Sequence, residues 1–281
     1  NCKLNLKFKL IFYNNLYMTE TKRVIYYYQT FTGIEQIIAL EDVVTHIHLS
    51  SIHFGLTKNQ PYIHLNDNSP YDSIFNTVWN QLETYKKVCK GKVILMIGGA
   101  GGGFTTLFSD FETYYNLLKT LIYKKRDIID GIDLDVEEDI GYNNIKRLIS
   151  RLKFDFGTDF IITLAPVQFA LQTDDPGMGG FSYKTLYKDI GHFIDYFNAQ
   201  FYEDYSEDAY TQVIENGYPP EKIVLGSLSG NFNKHYSTVV ENLAKKYPNF
   251  GGVFNWEYFD APPNPNNPAI WALMMKNYMG K

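Results

Sequence analysis

The stretch Asp130-Gly131-Ile132-Asp133-Leu134-Asp135-Val136-Glu137 is where the sequence gathers groups able to do chemistry. In extended backbone successive side chains alternate, so Asp133, Asp135 and Glu137 share one face while Ile132, Leu134 and Val136 take the other. The apolar face has to pack on neighbouring elements, which turns three carboxylates towards an interior. Burying an unpaired carboxylate costs roughly several kcal/mol even after relaxation, so packing alone does not account for them. Neighbours in this set lie about 6.6 Å apart, twice the strand rise. That is close enough for each to perturb the proton affinity of the next. A solvated acidic turn would explain the charge and not its regular alternation with branched apolar residues. A calcium loop would align Gly131 at its sixth position and Glu137 at its twelfth, and would then need acids where the chain has Arg126 and Ile128.

Short β-branched or aromatic runs recur at 24–28, 46–54, 93–97, 131–136, 160–164, 194–202, 223–228 and 252–256. Each is followed by a stretch of helical spacing or length, at 34–43, 71–90, 104–125, 142–156, 182–192, 207–216, 236–246 and 268–278. Strand and helix in strict alternation predict an α/β fold, a single closed (β/α)₈ barrel over residues 21–281 with no large insertion domain. Lys124, Lys125 and Arg126 close the third helix with cations, and Asn216-Gly217 ends the sixth. The long connection 165–182 carries Asp174, Asp175, Pro176 and three glycines after a strand, the place where such barrels build their sites, and is expected to form a rim loop over a cleft.

Composition bounds the partners. The chain has 281 residues, 45% hydrophobic and 16% aromatic, ample for a core and far from the composition of a disordered chain. Its formal charge of −5 offers no electrostatic footprint for nucleic acid or an anionic membrane. Cys2 and Cys89 cannot frame a chain of this length with disulfides and have no metal or redox spacing, so structural thiols are expected. Residues 1–20 form an N-terminal extension whose apolar run, 10–13, is too short for a signal peptide or a membrane span, and Met18 is a possible natural start. Low cysteine is compatible with a cytosolic protein and equally with a secreted one.

At residues 130–137 the sequence resembles the family 18 glycoside hydrolases, the chitinases and endo-β-N-acetylglucosaminidases, whose signature Asp-Gly-x-Asp-x-Asp-x-Glu is matched at every fixed position. Gly98-Gly99, Gln200-Phe201-Tyr202 and Trp256 fall at the ends of the third, sixth and eighth strands, where that family has its other marks. The resemblance implies hydrolysis of β-1,4 linkages at N-acetylglucosamine, with Glu137 as general acid and the substrate's own acetamido carbonyl as nucleophile. Asp135 would orient the acetamido group, with Asp133 behind it sharing a proton. Tyr202 would donate its hydroxyl to the acetamido oxygen, and Trp256 would form the apolar floor. Gln200, Gly98, Gly99, Tyr28 and Phe54 join the candidate substrate-binding set. The run 98–103 lacks the residues of a phosphate or dinucleotide loop, and close approach of backbone to a sugar explains its glycines better. No cofactor and no metal is implied, and a monomer acting on a saccharide is expected.

The chain departs from the family in having Met96 where a serine usually supports the inner aspartates, and Val136 where an aromatic usually precedes the acid. Non-proline cis peptides are implied at the ends of the second and eighth strands, by position His53–Phe54 and Trp256–Glu257. Only one helix fits between Leu228 and Gly252, too little for the insertion that walls a deep tunnel, so an open groove follows. His46 and His48 alternate on one strand without a third ligand, and core or rim positions suit them better than zinc. Of Tyr26, Tyr27 and Tyr28, alternation allows at least one to face the barrel mouth. Chitin and the N-glycan core remain open as substrates. A sugar-binding or inhibitor barrel without turnover is the rival reading; a purely structural barrel leaves three inward carboxylates unexplained.

Overall fold

A computed structural model describes residues 22–280. The expected extension at 1–20, with Cys2, lies outside the described residues; Cys89 is a buried free thiol. Among the described residues nine strands form one sheet: β1 (Arg23–Tyr28), β2 (His46–Thr57), β3 (Gln60–Leu65), β4 (Lys92–Gly98), β5 (Gly131–Asp135), β6 (Ile161–Leu164), β7 (Tyr196–Gln200), β8 (Ile223–Leu228) and β9 (Gly252–Trp256). All but β3 are parallel and follow one another around a closed barrel, which β1 completes by pairing with β9 on one side and β2 on the other.

The helices are α1 (Glu35–Ile38), α2 (Asn76–Cys89), α3 (Phe104–Ser109), α4 (Phe111–Lys124), α5 (Tyr142–Phe156), α6 (Phe169–Gln172), α7 (Tyr183–Ile190), α8 (Glu207–Glu215), α9 (Lys234–Lys246) and α10 (Ala269–Met279). Their starts follow local chemistry: Ser182 and Ser206 accept the amides of Thr185 and Ala209 at 3.1 Å, caps worth about 1 kcal/mol each. The stretch 104–125, expected as one helix, is two. Asp110 leaves the helical region (φ −146°, ψ 78°), and its side chain caps α4 through Thr113 N. Between β8 and β9 stand a short 3₁₀ turn and α9 alone, and no large insertion interrupts the barrel among the described residues. No helix among the described residues is long and apolar enough to cross a membrane.

Period-two alternation sorts the strand residues into two cores. Val24, Tyr26, Leu49, Ile132 and Leu134 face outward against the helices, whereas Ile25, Tyr27, Met96, Tyr196, Val224 and Phe254 fill the barrel. The apolar members of β5 therefore seal the outer layer and its acids enter the interior.

One strand was not expected. Lys58 and Asn59 both take left-handed conformations (φ 49° and 61°), turning the end of β2 back as an antiparallel hairpin with β3. The run 46–54 pairs with β4 through Leu49, shifts register, and meets β4 again at Ile52, the residue from which β2 also pairs with β3 as a hairpin arm. This corrects the first implied cis peptide. It lies at Ser50–Ser51, within the register shift of β2 against β4, and not at His53–Phe54; the second, Trp256–Glu257, is cis as implied.

Candidate active site

The acidic strand delivers its side chains at three depths. Asp133 is fully buried in the barrel, Asp135 is 6% exposed one step higher, and Glu137 lies half-buried just past the strand end. Asp133 is enclosed by donors: Tyr27 Oη donates to its Oδ2 at 2.7 Å, Asn198 Nδ2 to its Oδ1 at 3.2 Å, and Thr163 Oγ1 to the same oxygen. His48 Nδ1 stands 3.3 Å from Oδ2. Burial pushes the Asp133 carboxyl up, but His48, Thr163 and Tyr27 together outweigh it and hold the group below its ordinary value.

Asp135 has the opposite balance. Burial first, then the charges of Glu137 and Asp133, drive its carboxyl well above the usual aspartate range, against a single bond from Gln200 Nε2 at 3.1 Å. Burial also raises Glu137. Two neighbouring aspartates with proton affinities pushed apart, beneath an acid biased towards its neutral form, can hold one proton between them and present another to a ligand.

Around the acids, Tyr202 and Trp256 pack on the interior cluster, with Trp256 5.3 Å from the ring of Tyr27 and Tyr202 6.2 Å from that of Phe254. Burial and the charges of Asp135, Glu137 and Asp133 keep the Tyr202 hydroxyl protonated, a donor at the mouth. Gly98 and Gly99 border the same spot. Gly99 N donates to the Asp135 carbonyl at 2.9 Å, and a Cβ on Gly99 would lie 3.2 Å from Asp135 Oδ2. Gln200 also donates to the Ala165 carbonyl at 2.7 Å, tying the 165–182 connection to β7. Glu138, next to Glu137, accepts from Phe104 N at 2.7 Å and Thr105 N at 3.1 Å and so caps α3.

Glu137, Asp135, Asp133, Tyr202, Trp256, Gln200, Gly98 and Gly99 are thus brought together at one end of the barrel. Tyr28 and Phe54 are not. Tyr27 takes the interior face of β1, so Tyr28 points outward, donating to the Thr32 carbonyl at 2.7 Å and meeting Tyr258 edge-on. Phe54 belongs to the hairpin arm, its ring 5.8 Å from Tyr114 of α4.

The sequence reading also missed partners. Tyr27, Thr163 and Asn198 supply to Asp133 the donors that a serine in place of Met96 was expected to provide; Met96 is fully buried and accepts from Ser50 Oγ at 3.0 Å. The visible signal was a polar residue at the interior-facing position of otherwise apolar strands. Glu257 was missed as well: it follows Trp256, is 5% exposed, accepts from Gln29 N at 3.3 Å, and burial pushes its carboxyl up to about 7.

Known proteins share this arrangement. A solved fungal endo-β-N-acetylglucosaminidase from glycosyl hydrolase family 18 is 34% identical, with 90% of this chain and 96% of that one aligned at a TM-score of 0.80. The chitinase ChiC of Aspergillus fumigatus is also 34% identical, over 92% of this chain and 99% of that one, at 0.79. Chitinase 2 of Rhizopus oligosporus is 27% identical, and the match takes in 65% of this chain and 37% of that longer protein. Residues 22–259, from the first barrel strand past Trp256, match the family Glycosyl hydrolases family 18. With the acidic strand, its barrel and these relatives in agreement, the chain belongs to glycosyl hydrolase family 18.

Proposed function

We propose that the protein cleaves β-1,4 linkages at N-acetylglucosamine in chitin oligomers by substrate-assisted, retaining hydrolysis. The observation that carries this reading is the unequal pair Asp133–Asp135 beneath Glu137: one carboxyl held low by its donors, the next held high. In the free protein the shared proton sits on Asp135. Glu137 gives its own proton to the glycosidic oxygen as the bond from that oxygen to C1 breaks, and the acetamido carbonyl oxygen closes on C1 to form an oxazolinium. As positive charge develops, the shared proton passes to Asp133 and leaves Asp135 as an anion beside the acetamido N–H. Tyr202 donates to the acetamido oxygen and Trp256 underlies the ring. A water then attacks C1, gives a proton to the Glu137 carboxylate and reopens the oxazoline with retention, restoring both acids.

Turnover of a chromogenic chitobioside, with Glu137→Gln as control, tests the reading. Release of the chromophore by the wild-type protein alone supports it, and sugar binding with no release by either supports a binding barrel. The endo-β-N-acetylglucosaminidase relative, as similar as the chitinase, favours the N-glycan core as a second substrate. Products from chitotetraose and from a high-mannose glycopeptide, run side by side, separate the two.

A further inference from the structure

His48 is fully buried in the barrel and takes no part in the chemistry just described. Its Nε2 lies 3.2 Å from Tyr196 Oη, while its Nδ1 has no hydrogen-bond partner among the described residues and stands 3.3 Å from Asp133 Oδ2. A fully buried ring nitrogen without a partner calls for an explanation. The carboxylate beside Nδ1 favours the tautomer with its hydrogen on that nitrogen, which leaves Nε2 to accept from the Tyr196 hydroxyl. A modest rotation would close that contact, since such bonds are commonly long before a ligand arrives.

We propose that His48 is a positioning residue for the carboxylate pair: its Nδ1–H supports the anionic form of Asp133 and thereby keeps the shared proton on Asp135. This rests on the roles proposed above for the two aspartates. Among the groups that face His48, none but Asp133 offers its Nδ1 a carboxylate. Tyr27 of β1 packs against its ring at 4.9 Å and donates to the same Asp133 oxygen, Tyr196 of β7 occupies Nε2, and of the two β5 carboxylates Asp133 is the one beside Nδ1. On its own strand, His46 sits lower, edge-on to Tyr196, and the guanidinium of Arg23 lies 4.2 Å from the centre of the Tyr196 ring. In the same direction, His48 heads the influences that lower the Asp133 carboxyl.

The test is a titration of the two carboxyls by carbon NMR on aspartate-labelled protein, with the pH profile of kcat/KM for a chitooligosaccharide beside it. His48→Phe removes the donor and keeps a ring. Without it the anion of Asp133 is less supported, so the lower step of the pair should move up by about one pH unit, a tenfold change in acid dissociation. The acid limb of the activity profile should follow it, with the alkaline limb in place. His48→Gln, which retains a donor, should recover part of the shift. If His48→Phe does not fold, Tyr196→Phe leaves both aspartates and the imidazole in place and should give a smaller shift in the same direction. A folded His48→Phe, or failing that a folded Tyr196→Phe, whose lower step coincides with that of the wild-type protein overturns the proposal. A wild-type protein that titrates as described yet turns over no N-acetylglucosamine oligomer refutes the proposed function and leaves the role of His48 standing.

Discussion

Gly98 and Asp135 are lateral neighbours on β4 and β5, and the space between them admits no side chain: a Cβ on Gly98 would lie 2.4 Å from the Asp135 carbonyl oxygen. Gly98 also has φ +90°. Gly98→Ala therefore forces a clash with backbone in a conformation that L-residues avoid, at a cost of about 3 kcal/mol. Denaturant unfolding should show that loss, and an unchanged midpoint would mean that β4 and β5 are not so closely apposed.

Glu137→Gln keeps the shape of the acid and removes its proton. Turnover should fall about 10²–10⁴-fold, while calorimetric binding of a chitooligosaccharide stays near the wild-type level. Near-normal rates on a substrate with a poor leaving group would remove Glu137 from the role of donor.

The pH profile of kcat should decline on its alkaline side as Glu137 ionises, at a pH above the ordinary glutamate value of 4.5, because burial favours its neutral form. A profile still level well above pH 8 would contradict this assignment.

Glu257 makes a prediction about stability. Its folded carboxyl titrates near 7 against 4.5 when free, so the folded state binds the extra proton between those values. The associated stability is complete below pH 4.5 and is lost as the pH rises through 7, by up to about 3 kcal/mol. Glu257→Gln should flatten that slope, making the variant more stable relative to wild type at pH 8 than at pH 5. Thermal unfolding at the two values measures it, and parallel losses would show that Glu257 does not titrate in this window.

The acidic strand was legible in period two, since β5 alternates acids with branched apolar residues, and the barrel was legible because each parallel strand is a compact apolar run. The three consecutive tyrosines of β1 were not, since both faces of that strand are buried and polarity cannot tell Tyr27 from Tyr28. The donors to Asp133 depend on lateral register. Thr163 pairs directly across from Asp133, and Asn198 reaches it from the next strand, relations that no single strand encodes. The hairpin was hidden because its turn, Lys58-Asn59, lacks the glycine that usually marks two left-handed residues.

Glu138 has a consequence for how such a chain can change over generations. Because it fastens the start of α3 to the chain just past Glu137, the acidic motif and the glycine run some way upstream are mechanically joined. A longer loop before Phe104 would pull the start of α3 away from Glu138, and loss of the acid at 138 would leave the amides of Phe104 and Thr105 without this acceptor. Relatives with a longer glycine run should therefore lack an acid at this position, and those that keep the acid should keep the loop at its present length.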